Sequence, residues 1–193
     1  MKADTQIIEK IKNKYKNHSL RKMIKFYESG VPEKYWDDGD HQLKELIESI
    51  AININDNNNV ALIGNRFICN RIISNLNKYF ICENKIIRQY EYLQLMSQLQ
   101  DKYQQINLDI ITETNNVDIV SVYNLGAGIM NDKFFNLFNT LVNSWLNSLM
   151  NKIVILGIEF DGDLNIDSVK ESFVNKYGDL VEILNDNFTI IKV

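Results

Sequence analysis

Apolar positions along this chain fall into two rhythms, one of helical spacing and one of short continuous runs. Ile7, Ile8, Ile11 and Tyr15 recur three and four apart, which predicts helices over 4–16 and 19–28, broken at Asn17-His18. Ser19 is placed as an amino-terminal cap and Gly30 as a stop. Pro32, the only proline, then sets a turn into VPEKYWDDGD. From Asp40 onward, Leu43, Leu46, Ile47, Ile50 and Ile54 return to helical spacing. A buried strand is expected at 60–63 and a helix at about 66–79, followed by a strand at 84–90 and a helix in EYLQLMSQLQDKY. A strand fits 117–123, and a long helix fits 132–150, where Phe135, Phe138, Leu141, Val142, Trp145 and Leu149 share a face. Lys152-Ile-Val-Ile-Leu-Gly157 reads as a strand, and the tail as a helix over 167–177 with β-prone runs at 180–184 and 188–193. Strands alternating with helices give βαβ units, and so an α/β fold with a parallel sheet and helices on both faces.

Composition narrows the picture only a little. The chain has 193 residues, 45% of them hydrophobic, enough for one sizeable core. No Gly/Ser/Pro linker divides the body, so the expected organisation is a basic helical extension at 1–29 and a single core domain at 30–193. With two cysteines and two histidines, neither a disulfide framework nor a Cys/His zinc site has enough ligands. No signal-peptide core and no membrane-length apolar run is visible, so a cytoplasmic protein without membrane contact is expected.

Charge is more informative. The net value of −4 divides into about +6 in residues 1–25 and about −10 in the remainder. Lys10, Lys12, Lys14, Lys16, Arg21, Lys22 and Lys25 are therefore candidates for nucleic-acid contact, the alternative being the solvated face of an amphipathic helix. Tyr35 and Trp36, after the proline turn, are either a partner anchor or a plug against the core. The acidic turns at Asp37-Asp38-Gly-Asp40 and Asp161-Gly-Asp163 lack the spacing of a calcium loop, and no metal site is expected. The serines lack a nucleophile elbow.

The stretch with most chemistry to offer is Val60 to Leu76, VALIGNRFICNRIISNL, a strand, a turn at Gly64 and a helix. That is the outline of a phosphate-binding loop, G-x-x-x-x-G-K-[ST], which needs a second glycine for close approach, a lysine for charge and a hydroxyl for magnesium. Cys69, Asn70 and Arg71 occupy those three places, and bulky Phe67 and Ile68 fall inside the loop.

In order along the chain, four segments resemble the AAA+ ATPase domain of bacterial helicase loaders, the DnaC/DnaI class, and the related IstB transposition ATPases. SGVPEKYWDDGD resembles the family's GIP-x-R-[YF] lead-in, VALIGNRFICNRIISNL its Walker A strand and helix, DIVSVYNLGAG its Walker B segment, and FFNLFNTLVNSWLNSLMNKIVILG the helix and sensor strand that follow. The resemblance covers about residues 29–193 and implies a three-layer, P-loop NTPase (AAA+-like) sheet flanked by helices. It also shows what is missing. The positions of the two Walker B carboxylates hold Tyr123 and Asn124, the sensor position holds Ile158, and residues 171–193 contain no arginine, Lys176 being the nearest cation. Phosphoryl transfer depends on those groups for positioning and charge stabilisation.

The resemblance with these substitutions implies a pseudo-ATPase without a bound cofactor. Its expected partners are a replicative helicase or a homologous active AAA+ protein, with DNA as a further partner of the basic head. Its setting would be DNA replication or mobile-element maintenance. No ATP-dependent ring is expected, only a monomer or a nucleotide-independent dimer. Loaders also carry an amino-terminal helicase-gripping domain, for which about 29 residues leave no room. Two alternatives stand beside this reading: a slow ATPase in which Arg71 or Arg66 replaces the lysine, and a phage or plasmid protein that inhibits a host replication factor.

Overall fold

The structure, a computed structural model, describes residues 5–16, 19–36, 43–55, 58–99, 108–126, 132–148, 152–160, 177–178 and 180–193. Helices α1 (Thr5–Lys14) and α2 (Leu20–Glu28) lead through a short 3-10 turn (Glu33–Tyr35) to α3 (Lys44–Asn55). Then come β1 (Asn59–Gly64), α4 (Arg66–Cys82), β2 (Ile87–Glu91), α5 (Tyr92–Leu99) and α6 (Leu108–Asn115). The second half holds β3 (Ile119–Leu125), α7 (Asp132–Leu146), β4 (Ile153–Glu159), α8 (Leu180–Asn187) and β5 (Phe188–Lys192).

The five strands form one sheet in the order β2-β3-β4-β1-β5, and every pairing is parallel. Parallel strands are buried on both sides, which is why β1, β3 and β4 read as apolar runs and not as alternating ones. The period of two still sorts their side chains. Ala61, Ile63, Val120, Val122, Val154, Leu156 and Ile158 pack on one face with α5 to α8, while Val60, Leu62, Ile119, Ile153 and Ile155 pack on the other with α1 to α4. After β1 the chain crosses two strands to β2 with α4 on one face, then steps back through β3 and β4 with its helices on the opposite face. A change of direction paired with a change of face is what a constant crossover hand requires.

Between α4 and the strands beneath it lies a ring of buried polar groups. Ser121 Oγ donates to Asn77 Oδ1 (2.9 Å), Asn77 Nδ2 to Gln89 Oε1 (2.7 Å), and Gln89 Nε2 to Ser74 Oγ (3.1 Å). All four residues are buried, so a slip of α4 against β2 or β3 would leave several polar groups unpaired in an apolar setting.

The amino-terminal helices belong to the packing of this face. Ile11, Tyr15, Met23 and Phe26 are buried in the same cluster as Val60 and Leu62. The turn after α2 covers the free edge of β2: Gln89 N donates to Ser29 O (2.7 Å) and Arg88 Nη1 to Glu28 O (2.8 Å). Gly30, at φ +81°, lies so close that a Cβ there would sit 2.4 Å from Gln89 O.

Two expectations change. The run at 180–184 is the start of helix α8, because Leu180 and Leu184, four apart, are both buried against the α5–α8 face. Helix α6 was not foreseen from the pattern, although Ile110 and Thr114 are buried one turn apart on it. The predicted helix at 167–177 falls almost wholly outside the described residues, as do Lys176, Asp37, Asp38, Asp40, Asp161 and Asp163.

Candidate functional site at the carboxyl ends of the strands

In open parallel α/β sheets ligands bind beyond the carboxyl ends of the strands. Here the ends of β1, β3 and β4 bring together Gly64, Asn65, Tyr123, Asn124 and the first two turns of α4.

The junction between β1 and α4 is shorter than the sequence pattern implied. Asn65 is extended and caps α4, its side chain accepting from Phe67 N (2.9 Å) and Ile68 N (3.4 Å), while its carbonyl accepts from Cys69 N (2.9 Å). Residues 66–71 are therefore helix, and the expected loop containing Phe67 and Ile68 is absent. Cys69, Asn70 and Arg71 lie in the second turn of α4, not at the mouth of a loop. Beside the turn the ladder with β5 continues: Val193 N donates to Ile63 O (3.0 Å), and Asn65 N donates to Val193 O (3.3 Å), so Val193 lies next to Gly64 in the sheet. A Cβ on Gly64, at φ +152°, would lie 1.7 Å from Val193 O. Helix amino termini hold phosphate with free amides and room for the backbone to wrap the anion. The start of α4, with its Phe67 and Ile68 amides taken by Asn65 and no loop before it, does not fit that group.

Cys69 is buried, with its thiol 3.7 Å from Leu62 O, and burial pushes its pKa up to about 11. Its role is packing. Arg66 lies over the ring of Phe67, 4.9 Å from the centroid, and Phe67 is 60% exposed.

The end of β3, the segment compared above with a Walker B motif, meets α4. The pairing of β3 with β4 shifts register between Val122 and Leu125, and Asn124 takes φ +61° in that bulge. Asn70 Nδ2 donates to Asn124 Oδ1 (2.8 Å), Asn124 Nδ2 to Glu91 Oε1 (3.5 Å), and Glu91 Oε2 accepts from Gln94 N at the start of α5 (2.8 Å). Asn70 Oδ1 is buried without a hydrogen-bond partner. Half-buried Tyr123 has its phenol pushed up to about 12, by burial first and then by Glu91 and Tyr35. Ile158, at the sensor position, is fully buried in β4.

On the other side of Tyr123 a cleft of about 630 Å³ opens between the amino-terminal helices and α5, with Lys10, Trp36, Arg88, Glu91 and Gln94 among its walls. The basic residues do not form one patch. Lys14 donates to Glu33 Oε1 (2.8 Å), which holds the Glu33 carboxyl below its usual range. Lys22 lies over Phe26, and Lys25 Nζ donates to Asn84 Oδ1 (3.4 Å). Arg21, Lys22 and Lys25 line a separate shallow cleft of about 280 Å³ beside the carboxyl end of α4, an end that attracts cations by its own dipole. Lys12 and Lys16 are exposed.

Trp36 is not an exposed anchor. It is 5% exposed, its Nε1 donates to Val31 O (2.7 Å), and its ring lies 5.5 Å from that of Tyr15. A flat apolar ring beside the α1–α4 core lowers free energy by leaving water, so the plug outcome prevails; Tyr35 beside it is half-buried, with Lys34 over its ring. Asn65 and Val193 were missed as site residues. The first had a legible signal, a capping residue directly before an apolar-periodic run; the second had none.

The order and direction of the strands, with helices on both faces, give an α/β fold of the three-layer form seen in P-loop NTPases of the AAA+ kind. Among solved structures, the chain is similar to the crystal structure of the DnaC helicase loader, with a TM-score of 0.67 at 11% identity, over 84% of this chain and 99% of that one. It is also similar to AMPPCP-bound DnaA from Aquifex aeolicus, with a TM-score of 0.60 at 12% identity, over 84% of this chain and 51% of that one, about half the DnaA length. No family model matches the sequence, and no curated protein does. Among the described residues no helix is long and apolar enough to cross a membrane, and no cluster of three or more His, Cys, Asp or Glu could hold a metal.

Proposed function

We propose that this chain is a non-catalytic, helicase-loader-like protein that acts by protein contact in DNA replication or mobile-element maintenance. It would dock on a replicative helicase or on a homologous active AAA+ protein. Support for the process comes from the fold shared with a helicase loader along 99% of that chain. The observation that carries the non-catalytic reading is the β1–α4 junction, where helix begins at Arg66 with no loop before it and the Asn65 side chain takes the Phe67 and Ile68 amides that a phosphate group would need. The neutral contact of Asn70 with Asn124 stands where a lysine and carboxylates would face each other. Protein contact comes before DNA contact in this proposal, because the basic residues are divided between two clefts and an ion pair.

Calorimetry with ATP and magnesium at about 1 mM tests it, with no saturable heat expected; binding at about 1 µM would overturn the reading. The triple variant Cys69→Gly, Asn70→Lys, Arg71→Thr is expected to remain silent too, since restoring three side chains on a helix does not rebuild a loop.

A further inference from the structure

The sheet has two edges, and the chain treats them differently. On β2 the outward Gln89 amide is taken by Ser29, with Gly30 pressed against the strand. On β5 nothing comparable is present among the described residues, and β5 pairs only with β1. The direction of its main chain follows from the hydrogen bonds at its end. Val193 N and O both face β1, so by the alternation of a parallel ladder Ile191 and Thr189 face β1 as well. The amides and carbonyls of Ile190 and Lys192, and the carbonyl of Phe188, therefore point outward, while the Phe188 amide closes the last turn of α8. The strand has no proline and no bulge, and Ile190 is 40% exposed. Such an edge is a template for another strand.

We propose that β5 pairs antiparallel with β5 of a second copy of this chain, about a two-fold axis at Ile190. The outward row is self-complementary at this register. The two Ile190 residues exchange both of their main-chain hydrogen bonds, and Phe188 of each copy faces Lys192 of the other, so the cations stay apart. A pairing centred on Lys192 would set two ammonium groups opposite one another, which disfavours it. The Ile190 side chains then meet on one face of a continuous sheet, removing apolar surface from water. The contact uses neither the β1–α4 junction nor the clefts, so it is independent of nucleotide and of the function proposed above.

Light scattering on the full chain from about 5 to 500 µM tests it. The mass is expected to rise with concentration from that of a monomer toward twice that value, equally with and without ATP. Ile190→Lys places like charges across the axis and is expected to hold the protein monomeric throughout, with an unchanged thermal midpoint in dilute solution. Ile190→Pro removes an outward amide that bonds nothing among the described residues; it gives a second reading if the lysine variant fails to fold. A wild-type protein that stays monomeric over the whole range overturns the proposal. So does a dimer that survives in the folded variants.

Discussion

Two closures stand two strands apart at the carboxyl ends of the sheet, and they are made of different material. At the end of β1 the turn into α4 is held by main chain, with Val193 beside Gly64 and bonded to Ile63 and Asn65 on either side of it. At the end of β3 the gap is bridged by side chains, Asn70 to Asn124 to Glu91. A side-chain bridge can be exchanged one residue at a time. A main-chain seal depends on the path of two strands and a helix start, so no substitution in α4 alone removes it. The same end of the sheet thus holds one contact that single substitutions can edit beside a junction fixed by the path of the main chain.

The largest expected effect comes from testing the seal. Gly64→Ala puts a methyl group into the Val193 carbonyl at a backbone angle alanine avoids, and should lower stability by about 3 kcal/mol or more, seen as a fall of roughly 6–12 °C in thermal midpoint. A fall under about 2 °C would show that Val193 gives way easily, and the distinction between the two closures would go with it. Asn70→Ala should cost less, about 1 kcal/mol, because it deletes one hydrogen bond and leaves Asn124 Oδ1 half-exposed to water. In urea that is a lower midpoint with the same slope; a loss equal to that of Gly64→Ala would mean the two closures act as one unit.

The smallest effect concerns Cys69, which packs just behind both. Its raised pKa means the folded thiol stays protonated where the unfolded one, near 9, ionises. Its contribution to stability is full below pH 9 and declines as pH rises toward about 11. In the native protein at pH 8 a thiol reagent should therefore modify exposed Cys82 alone, and both cysteines only in denaturant. Rapid native labelling of Cys69 would show that α4 opens from the sheet near the junction.

Much of the fold was legible because burial on both faces forces apolar runs into the strands and helical spacing into the layers around them. Val60–Ile63, Ile119–Val122 and Ile153–Leu156 announce themselves in that way, and so do α3, α4 and α7. The run at 180–184 misled because a short apolar stretch fits either period, and only the neighbours of Leu180 and Leu184 decide. At the site, the strand that ends at Tyr123 and Asn124 was legible. The absence of a loop was not, since alignment to a motif counts residues and does not say whether the chain between them is coiled or helical.

What the sequence determined by itself is local and chemical: the alternation of strand and helix, the basic head, a cap residue at Asn65, and side chains other than lysine and carboxylate at the positions a nucleotide site would use. What only the tertiary structure decided is which distant segments meet. Val193 beside Gly64, Ser29 on the edge of β2 and Trp36 against Tyr15 each join residues far apart in the chain. Local periodicity reports how one segment divides its side chains between water and protein. Which protein surface receives them depends on the packing of all the segments at once, and the covering of an edge or the filling of a cleft is settled there.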